Sequence, residues 1–211
     1  MMLSSRISEI SLAVSKRMCE SRFKHTLGVC RMAERLAEFC LPEKKEELYL
    51  AGLLHDVSKE LSVQEQIALI KSSGEGYTDS DLVCEAAHHS ITAAIVISRD
   101  FPDVASEELL SAVRNHTLGA PNMSLFDEII FVSDYIEDGR TYSDCIRARE
   151  KLFSELNDAR DREECIQLLH VATREILDYT ITYIIAKGAF LHERTVQSRN
   201  AFLSREPMPL L

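Results

Sequence analysis

Apolar residues recur every three or four positions along almost the whole of this chain, and that period constrains the fold more than any other feature. Val29, Met32, Ala33, Leu36 and Cys40 form one such stripe, and Leu109, Leu110 and Val113 another, each set falling on a single face of an α-helix. No comparable segment alternates with the period of two that a half-buried strand requires. Only 7 Gly and 5 Pro are spread over 211 residues, too few for the turn every 8–12 residues or so of an all-β chain. Helices are therefore predicted at about 4–19, 22–40, 43–55, 62–72, 79–98 with a break near 88, 106–116, 124–136, 145–158 and 162–186, with a short one after Thr195. Local signals agree with these starts and stops: Ser62 and Glu65 have capping-box spacing, Ser106 precedes Glu107 and Glu108, Ser124 stands at a helix start, and Asp138-Gly139 closes a helix.

A hydrophobic fraction of 45% with 27% charged residues is ordinary globular composition, which excludes disordered and fibrous chains. The expectation is one all-α domain over 1–211, with a motif core at about 20–140, C-terminal helices over 145–203 and a flexible tail at 204–211. Lys and Arg total 24 against 34 Asp and Glu, a formal charge of -10, so neither nucleic acid nor an anionic membrane is an expected partner. The six cysteines show no C-x-x-C pair and read as reduced, mostly buried thiols. Arg6, Glu9, Lys16 and Arg17 interrupt the first segment, unlike a signal peptide, and the apolar run from Ile181 stops at Lys187. A cytoplasmic location is expected.

Against this apolar background His25, the pair His55-Asp56, His89, His116 and Asp134 stand out. His25 precedes Val29, Met32 and Leu36 by 4, 7 and 11 residues, so its imidazole shares their stripe and faces the bundle interior. His55 follows Leu48 and Ala51, His116 follows Leu109 and Val113, His89 precedes Ala93 and Val96, and Asp134 follows Ile130 and Phe131, each at helical spacing. Any one inward histidine is more often a hydrogen-bonded core residue than a ligand. The whole set is better explained by metal, because an ionised Asp inside a bundle is costly unless it is paired or coordinated. Nitrogen and oxygen donors without thiolate suit Fe, Mn, Co, Ni or Zn, and Asp56 has the carboxylate to bridge two ions. Two divalent ions roughly 3.5–4 Å apart would polarise a phosphoryl oxygen and turn water into hydroxide near neutral pH.

With these residues in place, the chain resembles the HD superfamily of metal-dependent phosphohydrolases: a first His, the His-Asp doublet, further His and a late Asp. Within it the chain is similar to the symmetrical bis(5'-nucleosyl)-tetraphosphatases through Leu53-Leu-His-Asp-Val-Ser-Lys59, His116-Thr-Leu-Gly119, Pro121-Asn-Met-Ser-Leu125, Ser133-Asp-Tyr-Ile-Glu137 with Arg140, and the segment His192 to Asn200. The resemblance spans about residues 20–200. It implies an HD-domain helical bundle, a di-iron or similar two-metal site, cleavage of diadenosine tetraphosphate to two ADP, and a homodimer. Carried over residue by residue, it implies that His25, His55, Asp56 and Asp134 hold one ion and that Asp56, His89 and His116 hold the second. His89 is preferred over His88, which is expected to be second to the ligands or partly exposed.

The resemblance also implies roles for Asp56 and Lys59 in catalysis and for Lys59, Thr117 and Arg140 in binding substrate. For Lys59 a solvated side chain weighs nearly as much, and for Arg140 the alternative is a pair with Glu137 or Asp138. Where the family commonly carries basic residues this chain has Ala120 and Glu128, which predicts a less positive pocket rim. Cys30 and Cys40 read as core thiols, and His170 and His192 show no partners of the ligand kind. Three rival readings remain at the level of sequence: an HD phosphohydrolase acting on another nucleotide (an alarmone, a nucleoside monophosphate or a cyclic nucleotide), a helical module that senses metal or nucleotide without turnover, and a purely structural bundle whose inward His and Asp are satisfied by neighbours.

Overall fold

The computed structural model describes residues 2–74 and 76–205. Its elements run α1 (Met2–Ser15), α2 (Glu20–Cys40), a 3-10 turn (Pro42–Lys44), α3 (Lys45–Leu54), α4 (Val63–Ser72), α5 (Asp79–Val83), α6 (Glu85–Asp100), α7 (Glu107–Asn115), α8 (Leu125–Ile136), α9 (Ser143–Asp158), α10 (Arg162–Ala186) and α11 (Glu193–Leu203), with no strand among the described residues. The expected all-α bundle is what forms.

The helix starts follow the side-chain chemistry. Ser62 accepts from the Glu65 amide while the Glu65 carboxylate accepts from the Ser62 amide, and Ser124 and Asp127 form the same reciprocal pair at the head of α8. Ser106 accepts from the Leu109 amide. Such bonds satisfy amides that a helix start leaves without partners, at about 1 kcal/mol per cap. Several boundaries differ from expectation: α1 ends at Ser15 where about 19 is expected, and the helix expected at 43–55 is a 3-10 turn followed by Lys45–Leu54. The segment predicted as 79–98 breaks at Cys84 (φ -81, ψ 87) and not near 88, and the last helix starts at Glu193, before Thr195, because His192 caps it by accepting from the Arg194 amide. Of the tail at 204–211, residues 206–211 lie outside the described residues, and Arg205 is anchored, its guanidinium donating to the Pro121 and Met123 carbonyls and to Glu128.

α2, α3, α7 and α8 form the centre, covered by α6 on one side and α10 on another. Leu36, Leu48, Leu53, Leu54, Ile97, Phe126, Ile129 and Ile130 are all fully buried there, each worth about 1.5–3 kcal/mol of transfer free energy. Five cysteines are buried, Cys30 and Cys40 among them, and Cys19 is exposed; none is bridged. No helix of the described residues is long and apolar enough to cross a membrane.

Glu128 and His170 correct the sequence reading. The Glu128 carboxylate is fully buried, accepting from His170 Nδ1 (2.7 Å), Thr173 Oγ1 (3.2 Å) and Arg205 Nη1 (3.2 Å). It stitches α8 to α10 and the end of α11 and forms no part of a pocket rim. Ala120 is buried as well, so neither side chain itself lies on a rim, and His170 has an acidic partner.

Gly52 sets the distance between α2 and α3: a Cβ there would stand 3.1 Å from Cys30 Cα and 3.2 Å from its nitrogen. The contact is with backbone, which has no rotamer to yield. Gly52→Val should therefore destabilise the fold by about 1–3 kcal/mol, read as a lower urea midpoint at unchanged m-value.

Candidate metal centre

Four imidazoles and two carboxylates converge where the inner ends of the central helices meet. His25 comes from the first turns of α2, His89 from α6 and Asp134 from α8, while His55 and His116 are the residues that terminate α3 and α7. His55 and His116 use the same local device. His55 Nδ1 donates to the Gly52 carbonyl at 2.6 Å, and His116 Nδ1 donates to the Val113 carbonyl at 2.7 Å. Each bond occupies a carbonyl that the helix end leaves open, and each fixes the tautomer so that Nε2 presents its lone pair to the cluster.

Two compact sets result, His25 with His55 and Asp134, and His55 with Asp56 and His116, the donor atoms of each lying within 4.8 Å of one another. Asp56 faces both sides. Its Oδ2 is 3.6 Å from His55 Nε2, and its Oδ1 is 3.5 Å from His89 Nε2 and 3.8 Å from His116 Nε2. His89 Nε2 in turn lies 3.0 Å from His116 Nε2. All six residues expected as ligands are thus brought together. The second compact set holds His55 in place of His89, and His89 closes the same side through Asp56 and His116.

The residues fit divalent ions on an observation independent of the family pattern. His55 Nε2 is fully buried and has no hydrogen-bond partner, an arrangement that costs about 1–3 kcal/mol unless something accepts its lone pair. Protonation favours coordination too. Burial lowers His116 to about 4, with His55 reinforcing the shift, and burial together with His116 and Lys59 lowers His89 well below its usual value, so both are neutral ligands at pH 7. Burial opposes ionisation of Asp56, but His55, His89 and Lys59 overrule it and hold the carboxyl below the usual carboxylate range. His25 differs: burial pulls it down, yet its bonds to Asp134 and Glu137 raise it to about 9, so a cation entering there must displace a proton.

Other residues hold this set in place. His25 Nδ1 donates to Glu137 Oε1 at 3.1 Å, and Glu137 Oε2 accepts from the Gly139 amide at 2.6 Å. The carboxylate occupies the space a side chain at Gly28 would fill, since a Cβ there would fall 2.2 Å from Glu137 Oε2. Arg22, three residues before His25, donates to Asp56 Oδ2 at 3.1 Å. In the sequence Glu137 stands out only within the Ser133–Glu137 motif and as an alternative partner of Arg140, and Arg22 not at all, although the spacing of Arg22 from His25 puts both on one helical face.

Three expected substrate contacts also lie at the cluster. Lys59 Nζ is 2.9 Å from His89 Nδ1, which rules out the solvated side chain, and burial lowers its pKa. Thr117 Oγ1 is 3.0 Å from His89 Nε2. Arg140 pairs with neither Glu137 nor Asp138 through its guanidinium; it donates to Asp134 Oδ1 at 2.8 Å and to the Asp134 carbonyl at 3.0 Å. Arg22, His25, Glu137, Gly139, Arg140 and Thr141 border an open cleft of about 510 Å³. His88 is neither exposed nor turned to the ligands: it is buried, and its Nε2 donates to the Leu82 carbonyl at 3.1 Å. His192 faces Asp81 at 3.2 Å and caps α11.

Gly28→Ala should evict the Glu137 carboxylate and release the His25 ring. Loss of such outer support typically weakens a metal by about 10–100-fold; competition with a chelator would register it, with circular dichroism checking that the helices persist.

Residues 22–139 match the HD domain family model, a range that begins before His25 and ends after Asp134. The chain is 30% identical over 194 residues to a symmetrical bis(5'-nucleosyl)-tetraphosphatase of Halalkalibacterium halodurans, covering 90% of this chain and 93% of that protein. It is 32% identical over 152 residues to the Bacillus subtilis protein of the same name, covering 72% of this chain and 80% of the relative. A crystal structure from Clostridium acetobutylicum, described as a predicted HD superfamily hydrolase involved in NAD metabolism, superposes with a TM-score of 0.81 at 31% identity, covering 94% of this chain and 97% of that one. The ligand-bearing helices, the family match around them and the near full-length likeness together place this chain in the HD-domain family, among the relatives of the symmetrical bis(5'-nucleosyl)-tetraphosphatases.

Proposed function

We propose that this chain hydrolyses diadenosine tetraphosphate to two ADP at a centre of two divalent ions, iron by preference with Mn, Co, Ni or Zn as substitutes. The observation that carries the reading is Asp56, one carboxylate oxygen turned to His55 and the other to His89 and His116, in a chain whose relatives, matched over 90% and 72% of its length, bear that activity in their names. His25, His55, Asp56 and Asp134 would hold one ion, and Asp56, His89 and His116 the other. When bound, such a pair supplies Lewis acidity that activates water and offsets charge developing on phosphoryl oxygens.

The protein's own part is positioning and charge. Arg22 and Arg140 flank the cleft beside the cluster and suit the bidentate recognition of phosphate oxygens. Lys59, held against His89, places an ammonium where the departing ADP gathers negative charge, and Thr117 offers a hydroxyl on the same side. Symmetric cleavage requires water to attack the phosphorus second from one nucleoside. One P–O bond forms, the bond to the central bridging oxygen breaks, and that oxygen leaves with the second ADP. The same reading has the enzyme act in the cytoplasm, where thiols such as its six unbridged cysteines stay reduced. The family resemblance carries a homodimer.

Protein purified without oxygen and given iron or manganese should convert diadenosine tetraphosphate to ADP alone, as resolved by chromatography. ATP with AMP would refute the cleavage position, and no product from loaded protein would refute the substrate. Asp56→Ala should abolish turnover and metal uptake without unfolding the bundle, whereas a purely structural Asp56 would show its loss in thermal stability.

A further inference from the structure

A second cavity, of about 370 Å³, shares Arg140 and Tyr142 with the cleft beside His25 and is lined by Asp134 as well. Its walls carry Tyr135, Tyr142, Tyr179 and Tyr183, four of the six tyrosines in a chain with no tryptophan. Tyr142 is 72% exposed, Tyr183 64% and Tyr179 44%, an unusual concentration of aromatic surface left in water. The size falls within the range of small-molecule sites, which are largely apolar with a few polar groups.

The charges show what the cavity does not take. Its only lining cation is Arg140, already engaged by Asp134, and Asp134 and Asp144 are both acidic. Apart from Arg140 the charged groups of the lining are acids, which disfavours a phosphate deeper in, whereas a neutral, flat, aromatic group finds the rings of Tyr142 and Tyr179 to stack on, Tyr183 already facing the Lys187 ammonium at 5.6 Å, and the Thr180 hydroxyl nearby. Asp134 also belongs to the candidate metal centre, so a ligand reaching from this cavity past Arg140 arrives at the ions.

We infer that the tyrosine-lined cavity takes one nucleobase of the dinucleoside polyphosphate, and that Arg140 leads the attached phosphate chain from the base to the metal centre. The inference rests on the proposed nucleotide hydrolysis for its substrate class. Tyr142, Tyr179 and Tyr183 are then the residues that prefer a nucleoside polyphosphate over a bare one. Stacking is tolerant of base identity, so purines of either kind enter.

The test combines binding and kinetics on the full chain. With no tryptophan present, intrinsic emission is tyrosine emission, and ADP should quench it saturably where inorganic pyrophosphate does not. Tyr179→Ala with Tyr183→Ala should weaken ADP about ten-fold by equilibrium dialysis and abolish its preference over pyrophosphate. It should also raise KM for diadenosine tetraphosphate by a similar factor, well beyond any fall in kcat. The Phe replacements should retain binding, because the ring is kept. If the double variant misfolds by circular dichroism, Tyr142→Ala, at the most exposed of these positions, takes its place. ADP binding and KM both unmoved by loss of the rings would overturn the inference while leaving the hydrolase intact. An association of chains lost in the variants with ADP binding unchanged would equally overturn it, assigning the face to a second copy. A wild-type protein that binds ADP through these rings yet leaves diadenosine tetraphosphate uncut would uphold the cavity and refute the hydrolase reading.

Discussion

The hydrogen bond from His55 Nδ1 to the Gly52 carbonyl is the contact on which the rest of the site depends. It ends α3, satisfies a carbonyl the helix would otherwise leave open, and fixes which ring nitrogen keeps its lone pair. His116 repeats the arrangement at the end of α7. Two helices therefore stop at the cluster with their C-termini directed to it, and a helix C-terminus carries partial negative charge that favours a cation. The ligands, the tautomers and the backbone field all point to the same occupant. Gly52 contributes twice, through its carbonyl and through the missing side chain that lets α3 approach Cys30 on α2, the helix that carries His25.

Such a cluster weakens the bundle that contains it. Buried polar atoms lose water, and a lone pair with no partner, as at His55 Nε2, recovers none of that loss. The metal-free protein limits the cost by keeping His89 and His116 neutral and by setting cations against the acids: Arg22 on Asp56, Arg140 on Asp134 and a protonated His25 between Asp134 and Glu137. These pairings restrain the carboxylates where ions would bind, so the centre is preorganised before it is loaded. Glu137 is tied to the Gly139 amide and packed where Gly28 has no side chain, which gives the His25 ring little freedom to turn away.

The sequence reveals the bundle and its inward histidines because both follow from short-range periodicity. His25, His55, His89 and His116 could be placed on apolar faces by counting residues. The break at Cys84 could not be read, since no Gly or Pro marks it; it falls four residues before the expected one, and His88 bonds the Leu82 carbonyl just before it. Glu128 is in sequence an acid where the family commonly has a base, and only the approach of α10 and Arg205 shows it as a buried junction. The role of Glu137 and the tyrosine-lined cavity lie in distances between separate helices that no spacing within one helix encodes, whereas Arg22 carries a weak signal in its spacing of three from His25.

A chain with formal charge -10 is an unpromising host for a polyphosphate, and the charges at the site show how the conflict is met. Near the cluster the acids Asp56, Asp134 and Glu137 are matched in number by the bases Arg22, Lys59 and Arg140, and His25 gives up its proton to a cation. The side chains alone are therefore close to neutral, and any net positive potential comes from the ions. The acidic surface beyond is screened over about 10 Å at ordinary ionic strength, so it slows the approach of an anion more than it weakens one already seated. Affinity must then come from short-range features: ions for the phosphates, guanidinium groups along the cleft and aromatic faces beyond Arg140 for the uncharged end. That division makes occupancy by metal a precondition for holding substrate, so the metal-free protein, with its acids paired internally, has little reason to bind a polyphosphate at all.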